Sequence, residues 1–204
     1  MEPEQTIEAV LFDLGGVLIE LGGVQTMLDW TGDEVSEEEL WARWLHSPAV
    51  RAYESGAIGA PRFAQQLIAE MDLRVGPEDF LDAFRAWPVG LYSGALELVA
   101  SLPDGYIRAA LSNSNDLHWP RFMDEMGLDG AFDHCFASHL LGQLKPDRAV
   151  FDQVVEVLDC PPEAVLFLDD NRINIEGARA AGLQGAVAKG VVGAERVLQQ
   201  WGIV

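Results

Sequence analysis

Basic residues are scarce in this sequence of 204 residues, in which 13 Lys and Arg stand against 33 Asp and Glu. The formal net charge is −20 at pH 7. Because the chain has no cluster of cations that could neutralise phosphates, nucleic acids and anionic membranes are excluded as expected partners. A protein this acidic that binds a small anion must supply positive charge locally, at the site itself.

Long apolar runs and cysteines are also few. No stretch reaches the roughly 18 apolar residues that span a bilayer, and the first residues are acidic, unlike a secretory signal. We therefore expect a cytoplasmic location. Cys135 and Cys160 have no metal-like or redox-like spacing, so two buried free thiols are favoured over a disulfide. The 49% apolar composition is that of a globular chain.

Short apolar segments that end in polar residues alternate with helical patterns. The strand-like segments are residues 7–12, 106–111 and 164–168, with a weaker one at 134–138. The helical patterns are residues 94–102, 120–126, 147–158 and 173–181. This alternation predicts an α/β fold with a doubly wound, Rossmann-like parallel sheet. Polar residues at the strand ends mark the edge where such sheets bind ligands.

Residues 21–92 interrupt the alternation with helix after helix and no convincing strand. Ser36 begins a capping box, and prolines stand near the starts of the runs 61–71 and 77–87. We expect a helical cap over residues 21–92, inserted into a core made of residues 1–20 and 93–204. Five aromatic residues of the cap are candidates for a substrate lining, although packing in a helical bundle is favoured: Trp30, Trp41, Trp44, Tyr53 and Trp87.

Four polar clusters follow one another in a fixed order. They are residues 11–18 (LFDLGGVL), 110–115 (ALSNSN), 143–147 (QLKPD) and 167–178 (FLDDNRINIEGA). Each alone is compatible with a turn or a helix cap. Together they resemble the haloacid dehalogenase-like hydrolase superfamily over nearly the whole chain. The capped phosphatases of that superfamily are the nearest resemblance, including a bacterial α-D-glucose-1-phosphate phosphatase, and residues 54–58 (ESGAI) resemble a recurring cap segment of this group.

The resemblance implies a phosphatase that acts on a small phosphorylated metabolite, such as a sugar phosphate. Asp13 would be the nucleophile, and its aspartyl-phosphate would split one difficult displacement into two easier ones. Ser112 and Lys145 would act in catalysis, and together with Asn113 they would bind the phosphoryl group. The implied cofactor is Mg²⁺, held by Asp13, the Gly15 backbone carbonyl, Asp169 and Asp170. We expect a monomer or a weak homodimer.

Gly15 departs from the pattern of the family, which places a second Asp there as general acid and base. Such a group contributes about 10²–10⁴-fold, so a slow enzyme, a good leaving group or a replacement base is implied. His118 is a candidate replacement, although a surface or packing role is favoured for it.

Two alternatives stay open. A 2-haloacid dehalogenase also lacks that Asp and needs no metal, and a catalytically idle relative could still bind a phosphorylated ligand. The adjacent carboxylates Asp169 and Asp170 favour the phosphatase, because two anions beside a nucleophilic Asp cost free energy unless a cation binds them.

Overall fold

The computed structural model describes residues 6–31 and 35–204. Within these ranges, one sheet is built from the strands β1 (Ala9–Phe12), β4 (Ile107–Ser112), β5 (His134–Ala137), β6 (Val165–Asp169) and β7 (Gln184–Val187). Its strand order is β5–β4–β1–β6–β7, and every neighbouring pair is parallel. The predicted α/β fold with a parallel sheet is confirmed.

Both faces of this sheet are covered by helices, because the central strands are apolar on both sides. Val10 and Phe12 of β1 belong to one hydrophobic cluster, with α6 (Ala95–Ala100) and α10 (Gly190–Gln200). Ala9 and Leu11 belong to the other, with α8 (Arg148–Leu158) and α9 (Arg172–Ala180). A short helix, α7 (Ser138–Leu141), follows β5, and a π-helical turn at Arg121–Glu125 stands where a helix was predicted over 120–126.

A block of helices stands between the first and second strands of the parallel sheet. Its members are α1 (Val24–Thr31), α2 (Glu37–His46), α3 (Pro48–Glu54), α4 (Ala60–Met71) and α5 (Pro77–Arg85). The Ser36 side chain caps α2 by accepting the Glu39 N–H at 3.1 Å, and prolines stand in the first turns of α3, α4 and α5. The helices bury a hydrophobic cluster of their own. The exact bounds of a cap at residues 21–92 stay a prediction.

The expectation that residues 21–92 contain no strand is wrong. Pro88–Leu91 forms β3, which pairs in antiparallel orientation with β2 (Ile19–Leu21). A short segment with Pro and Gly lacks the alternation that marks a strand, so only its pairing partner reveals it. Strand β7 and helix α10 were likewise not predicted, and β7 is short and contains Gly185.

Two smaller expectations concern thiols and membranes. Cys135 and Cys160 are free thiols, as favoured, with Cys160 buried and Cys135 half-buried. Among the described residues, none of the helices combines the length and the apolar character needed to cross a bilayer.

Candidate active site

The polar clusters of the sequence meet where three adjacent strands end. Strands β4, β1 and β6 are neighbours in the sheet. Asp13 follows the last residue of β1, while Ser112 and Asp169 are the last residues of β4 and β6. The Asp13 N–H donates to the Leu168 carbonyl at 2.8 Å, which continues the β1–β6 pairing as far as this residue. Parallel strands therefore bring three distant parts of the chain to one sheet edge.

Lys145 lies at the centre of this edge with its ammonium group buried. Nζ is 2.8 Å from Asp13 Oδ1 and 2.7 Å from Asp169 Oδ2, and it donates a third bond to the Leu111 carbonyl at 3.1 Å. These three acceptors match the three N–H groups of an ammonium ion, so the buried charge is fully hydrogen-bonded.

Asn113 fixes the backbone that carries Lys145. Its Nδ2 donates to the Lys145 carbonyl at 3.0 Å, and its Oδ1 accepts the Lys145 N–H at 2.9 Å. The peptide bond between Lys145 and Pro146 is cis. Asn113 was predicted to bind substrate, and its side-chain amide lies against the backbone of Lys145. Its role as a substrate ligand stays a prediction.

Burial and charge act on the protonation of this cluster in opposite directions. Burial raises the pKa of Asp13 above its ordinary range, the charge of Lys145 opposes the rise, and Asp169 adds to it. Burial alone would lower the pKa of Lys145, but Asp13 and Asp169 outweigh it, so the pKa is raised and the ammonium keeps its proton. Burial followed by the neighbouring Asp169 also raises the pKa of Asp170.

Three carboxylates lie close enough together to hold one metal ion. Oxygens of Asp13, Asp169 and Asp170 all lie within 4.8 Å of one another. Both oxygens of Asp169 are occupied, since Oδ1 accepts the Asn171 N–H at 2.7 Å and Oδ2 binds Lys145 at 2.7 Å, with Asn174 Nδ2 bonding to both. Asp169 is therefore held as a rigid anchor, while Asp13 and Asp170 have oxygens left for a cation. A set of ligands that is all oxygen fits a hard divalent ion.

The turn after Asp13 fits closely beneath Asp170. Gly16 has φ +75°, and a Cβ at this position would lie 2.4 Å from Asp170 Oδ2, so glycine is required on both counts. A Cβ on Gly15 would lie 2.9 Å from the Leu21 side chain. An acidic side chain at this position would therefore need Leu21 to move.

This chain is similar to known proteins over most of its length. Residues 7–182 match the haloacid dehalogenase-like hydrolase family. The chain belongs to this family. It is 27% identical over 186 residues to phosphoglycolate phosphatase 1 of Pseudomonas aeruginosa, covering 87% of this chain and 67% of that protein. Phosphatase MT3486 of Mycobacterium tuberculosis is 26% identical over 193 residues, which cover 88% of this chain and 86% of that protein.

Solved structures of haloacid dehalogenase family members share the fold. A family enzyme from Bacteroides thetaiotaomicron, solved as a magnesium complex, has a TM-score of 0.72 at 24% identity and covers 90% of this chain and 93% of its own. L-2-haloacid dehalogenase from Xanthobacter autotrophicus has a TM-score of 0.63 at 23% identity, with 90% and 78% covered. Both a magnesium-bound family enzyme and a dehalogenase share this fold. The fold of this hydrolase therefore does not distinguish metal-dependent phosphate hydrolysis from dehalogenation.

Two further polar residues, Ser112 and His118, are buried near this edge of the hydrolase. Ser112 is buried at the end of β4, and its hydroxyl makes a long contact of 3.5 Å with the Asn113 carbonyl. His118 is buried, with Nε2 2.7 Å from the Phe84 carbonyl and Nδ1 3.2 Å from Asn115 Nδ2. Burial lowers the pKa of His118 to about 4. Both ring nitrogens are engaged, so His118 packs between helix α5 and the loop after β4, as favoured.

Contacts from helix α3 tie the helical block to this edge of the hydrolase. Tyr53 Oη donates to Asp116 Oδ1 at 2.5 Å, and Arg51 forms an ion pair with Asp147. A cleft of about 250 Å³ remains between the two parts, lined on one side by Tyr53 and residues 56–59 and on the other by Asp116 and His139.

Three residues that were not predicted hold parts of the site in position through hydrogen bonds. Asn171 and Asn174 orient Asp169, and Ser138 accepts the Ser114 N–H at 2.9 Å below the second polar cluster. Asn174 had a detectable signal, because the first turn of a helix that follows Asp169 must pass beside that carboxylate. Ser138 had none, since its partner Ser114 lies in the loop after β4, 24 residues away in the chain.

Proposed function

We propose that this hydrolase is a Mg²⁺-dependent phosphomonoesterase that acts on a small phosphorylated metabolite through an aspartyl-phosphate on Asp13. The observation that carries the proposal is the single buried ammonium of Lys145, shared by Asp13 and Asp169 beside the exposed carboxylate of Asp170. A surplus of carboxylates at a buried site favours the binding of a further cation, and a phosphoryl substrate needs such a cation to offset its own negative charge.

In the proposed mechanism Asp13 attacks phosphorus in line with the leaving oxygen. The bond from Asp13 Oδ to phosphorus forms as the bond to the leaving oxygen breaks, and a water later cleaves the acyl phosphate. Lys145 holds the attacking carboxylate by its 2.8 Å contact and offers fixed positive charge to the transferring group. The Ser112 hydroxyl lies at the adjacent strand end, where it could bind a phosphoryl oxygen.

The metal would be held by Asp13, Asp170 and the Gly15 carbonyl, with Asp169 close by. When bound, Mg²⁺ supplies positive charge that offsets the negative charge of the phosphoryl group. The all-oxygen donor set and the lack of a side chain at Gly16, beneath Asp170, both support this assignment.

The dehalogenase alternative predicts a different outcome in the same assay. Its nucleophile attacks carbon without a metal, so halide release from 2-haloacids would persist in EDTA. The curated relatives named above are phosphatases, and this supports phosphorus as the target.

Phosphate release tests the proposal directly. The substrates are p-nitrophenyl phosphate, α-D-glucose 1-phosphate and 2-phosphoglycolate, the last because a relative is named for it. We expect release with Mg²⁺, loss of release in EDTA, and loss in Asp13→Asn, whereas the exposed control Asp124→Asn keeps wild-type rates. Metal-independent release, or an active Asp13→Asn variant, would refute the mechanism. Halide release from 2-chloropropionate in EDTA would establish the alternative.

A further inference from the structure

The candidate active site has no obvious group for proton transfer. An alkoxide leaving group must gain a proton, and the attacking water must lose one. Asp13 is committed as nucleophile, and the raised pKa of Lys145 keeps its proton in place. Both oxygens of Asp169 are hydrogen-bonded, and Gly15 has no side chain. His118 has both ring nitrogens engaged within apolar surroundings.

The end of helix α3 faces the site from the helical block. Tyr53 is bonded to Asp116 in the loop after β4, and Arg51 pairs with Asp147, two residues after Lys145. Gly56 has φ +73°, and a Cβ there would lie 2.5 Å from the His139 carbonyl, so the backbone that follows α3 lies directly on the core. Glu54 is the last residue of α3 and stands between these contacts.

The Glu54 carboxyl group is half-buried and unpaired. Among residues 6–31 and 35–204, its side chain has no hydrogen-bond or ion-pair partner. Burial raises the pKa of Glu54 to about 7, and the charge of Lys145 is the influence that opposes the rise. The charge of Lys145 therefore acts on Glu54 from the core, and a carboxyl group with this pKa can both give and take a proton near neutral pH.

We propose that Glu54 is the acid–base catalyst that the first polar cluster lacks, supplied from helix α3. This role rests on the proposed phosphatase function. As the bond from phosphorus to the leaving oxygen breaks, the Glu54 O–H gives its proton to that oxygen, which departs as an alcohol. The Glu54 carboxylate then takes a proton from the water whose oxygen attacks phosphorus, and Asp13 leaves as a carboxylate. Phosphate is released, and Glu54 is protonated again.

His139, which lines the cleft from the core side, is the rival for this role. Its Nδ1 is buried without a hydrogen-bond partner among the described residues. Burial lowers its pKa, however, so the imidazole is neutral near pH 7 and is a poor proton donor. A variant at each position separates the two assignments.

The dependence of kcat/KM on the leaving group tests the role of Glu54. This parameter covers the steps up to leaving-group departure, so a missing acid affects phenyl phosphate strongly and p-nitrophenyl phosphate weakly, because nitrophenolate leaves without a proton. For Glu54→Gln we expect kcat/KM to fall by about 10²-fold with phenyl phosphate and to stay within a few-fold with p-nitrophenyl phosphate. The retained activity also shows that the variant folds. The matched control is Glu38→Gln, on the exposed face of α2.

The outcomes distinguish the two proposals. Equal losses with both substrates, or no loss with either, would overturn the role of Glu54 while leaving the phosphatase in place. A selective loss in His139→Gln with a normal Glu54→Gln would assign proton transfer to His139 instead. If the wild-type enzyme releases phosphate from neither substrate with Mg²⁺, the proposed function fails, and the role of Glu54 fails with it.

Discussion

Two buried regions of this hydrolase are held together by opposite kinds of interaction. At the carboxyl edge of the sheet, one ammonium is shared by two carboxylates. Among the helices of the inserted block the contacts are between rings. Tyr53 stacks on Phe63 with centroids 4.3 Å apart, and Phe80 stacks on Phe84 at 5.7 Å.

The two regions therefore contribute to stability in different ways, and only the charged one also carries the chemistry. Burial of aromatic side chains is a large favourable term, and ring pairs add about 0.5–1.5 kcal/mol each. In a buried charge cluster, the attraction between the charges does little more than offset their free energy of desolvation. Removing one partner then destabilises the protein, because it leaves the remaining charge uncompensated. A substitution in the ring cluster should lower the free energy of unfolding and spare the activity, whereas one at Lys145 should lower both.

The largest effect is expected for Lys145→Met, because both properties depend on this one side chain. Phosphate release should be lost, and the free energy of unfolding without Mg²⁺ should fall by about 3–5 kcal/mol, since two buried carboxylates lose their cation. Urea denaturation measures the loss, and added Mg²⁺ should recover part of it. Arg196→Met, on the exposed face of α10, is the control. A variant as stable as the wild type would show that the carboxylates do not need Lys145.

Phe80→Ala should affect stability and spare the chemistry. Phe80 is fully buried and contacts Trp30, Phe63 and Phe84, so its removal leaves a cavity that costs about 3–5 kcal/mol. The folded enzyme should keep kcat/KM within a few-fold of the wild type at a temperature well below its midpoint of unfolding. Phe80→Leu should lose less stability. A large loss of kcat/KM in the folded variant would contradict this prediction, because it would show that the ring cluster also determines activity.

His118 lies between the regions and gives the smallest effect. Its folded pKa of about 4 is below the ordinary 6.5, so the unfolded chain binds more protons between these values. Stability from neutral His118 is present above pH 6.5 and is lost as the pH falls toward 4. From pH 7 to pH 5 the wild type should lose about 2 kcal/mol more than His118→Gln. Equal losses in urea titrations at the two pH values would contradict the buried neutral imidazole.

The sequence predicts best what depends on short apolar segments. Asp13, Ser112 and Asp169 each end a segment that can only be a buried strand, so their meeting at one edge follows from parallel topology. Lys145 lies in no strand, and its place at the site follows from the resemblance to the family. The structure adds that its ammonium is shared between Asp13 and Asp169.

The remaining features depend on contacts between distant segments. The paired bonds of Asn113 with the Lys145 backbone need a loop that is 32 residues away. Glu54 is one acidic residue among many along the chain, and only the packing of α3 on the core distinguishes it. Strand β3 shows the same limit. Pro88 and Gly90 are unfavourable residues for a strand, and the segment becomes one only by pairing with β2.

The pairing of β2 with β3 has a consequence for how this molecule can vary. Leu21 lies opposite Pro88, so the chain leaves for the helical block and returns from it at neighbouring points. An insertion with adjoining ends can be lengthened, shortened or exchanged without stretching the scaffold beneath it, and loop closure adds little with each added residue. The helical block can therefore diverge while the parallel strands and their carboxylates keep their register.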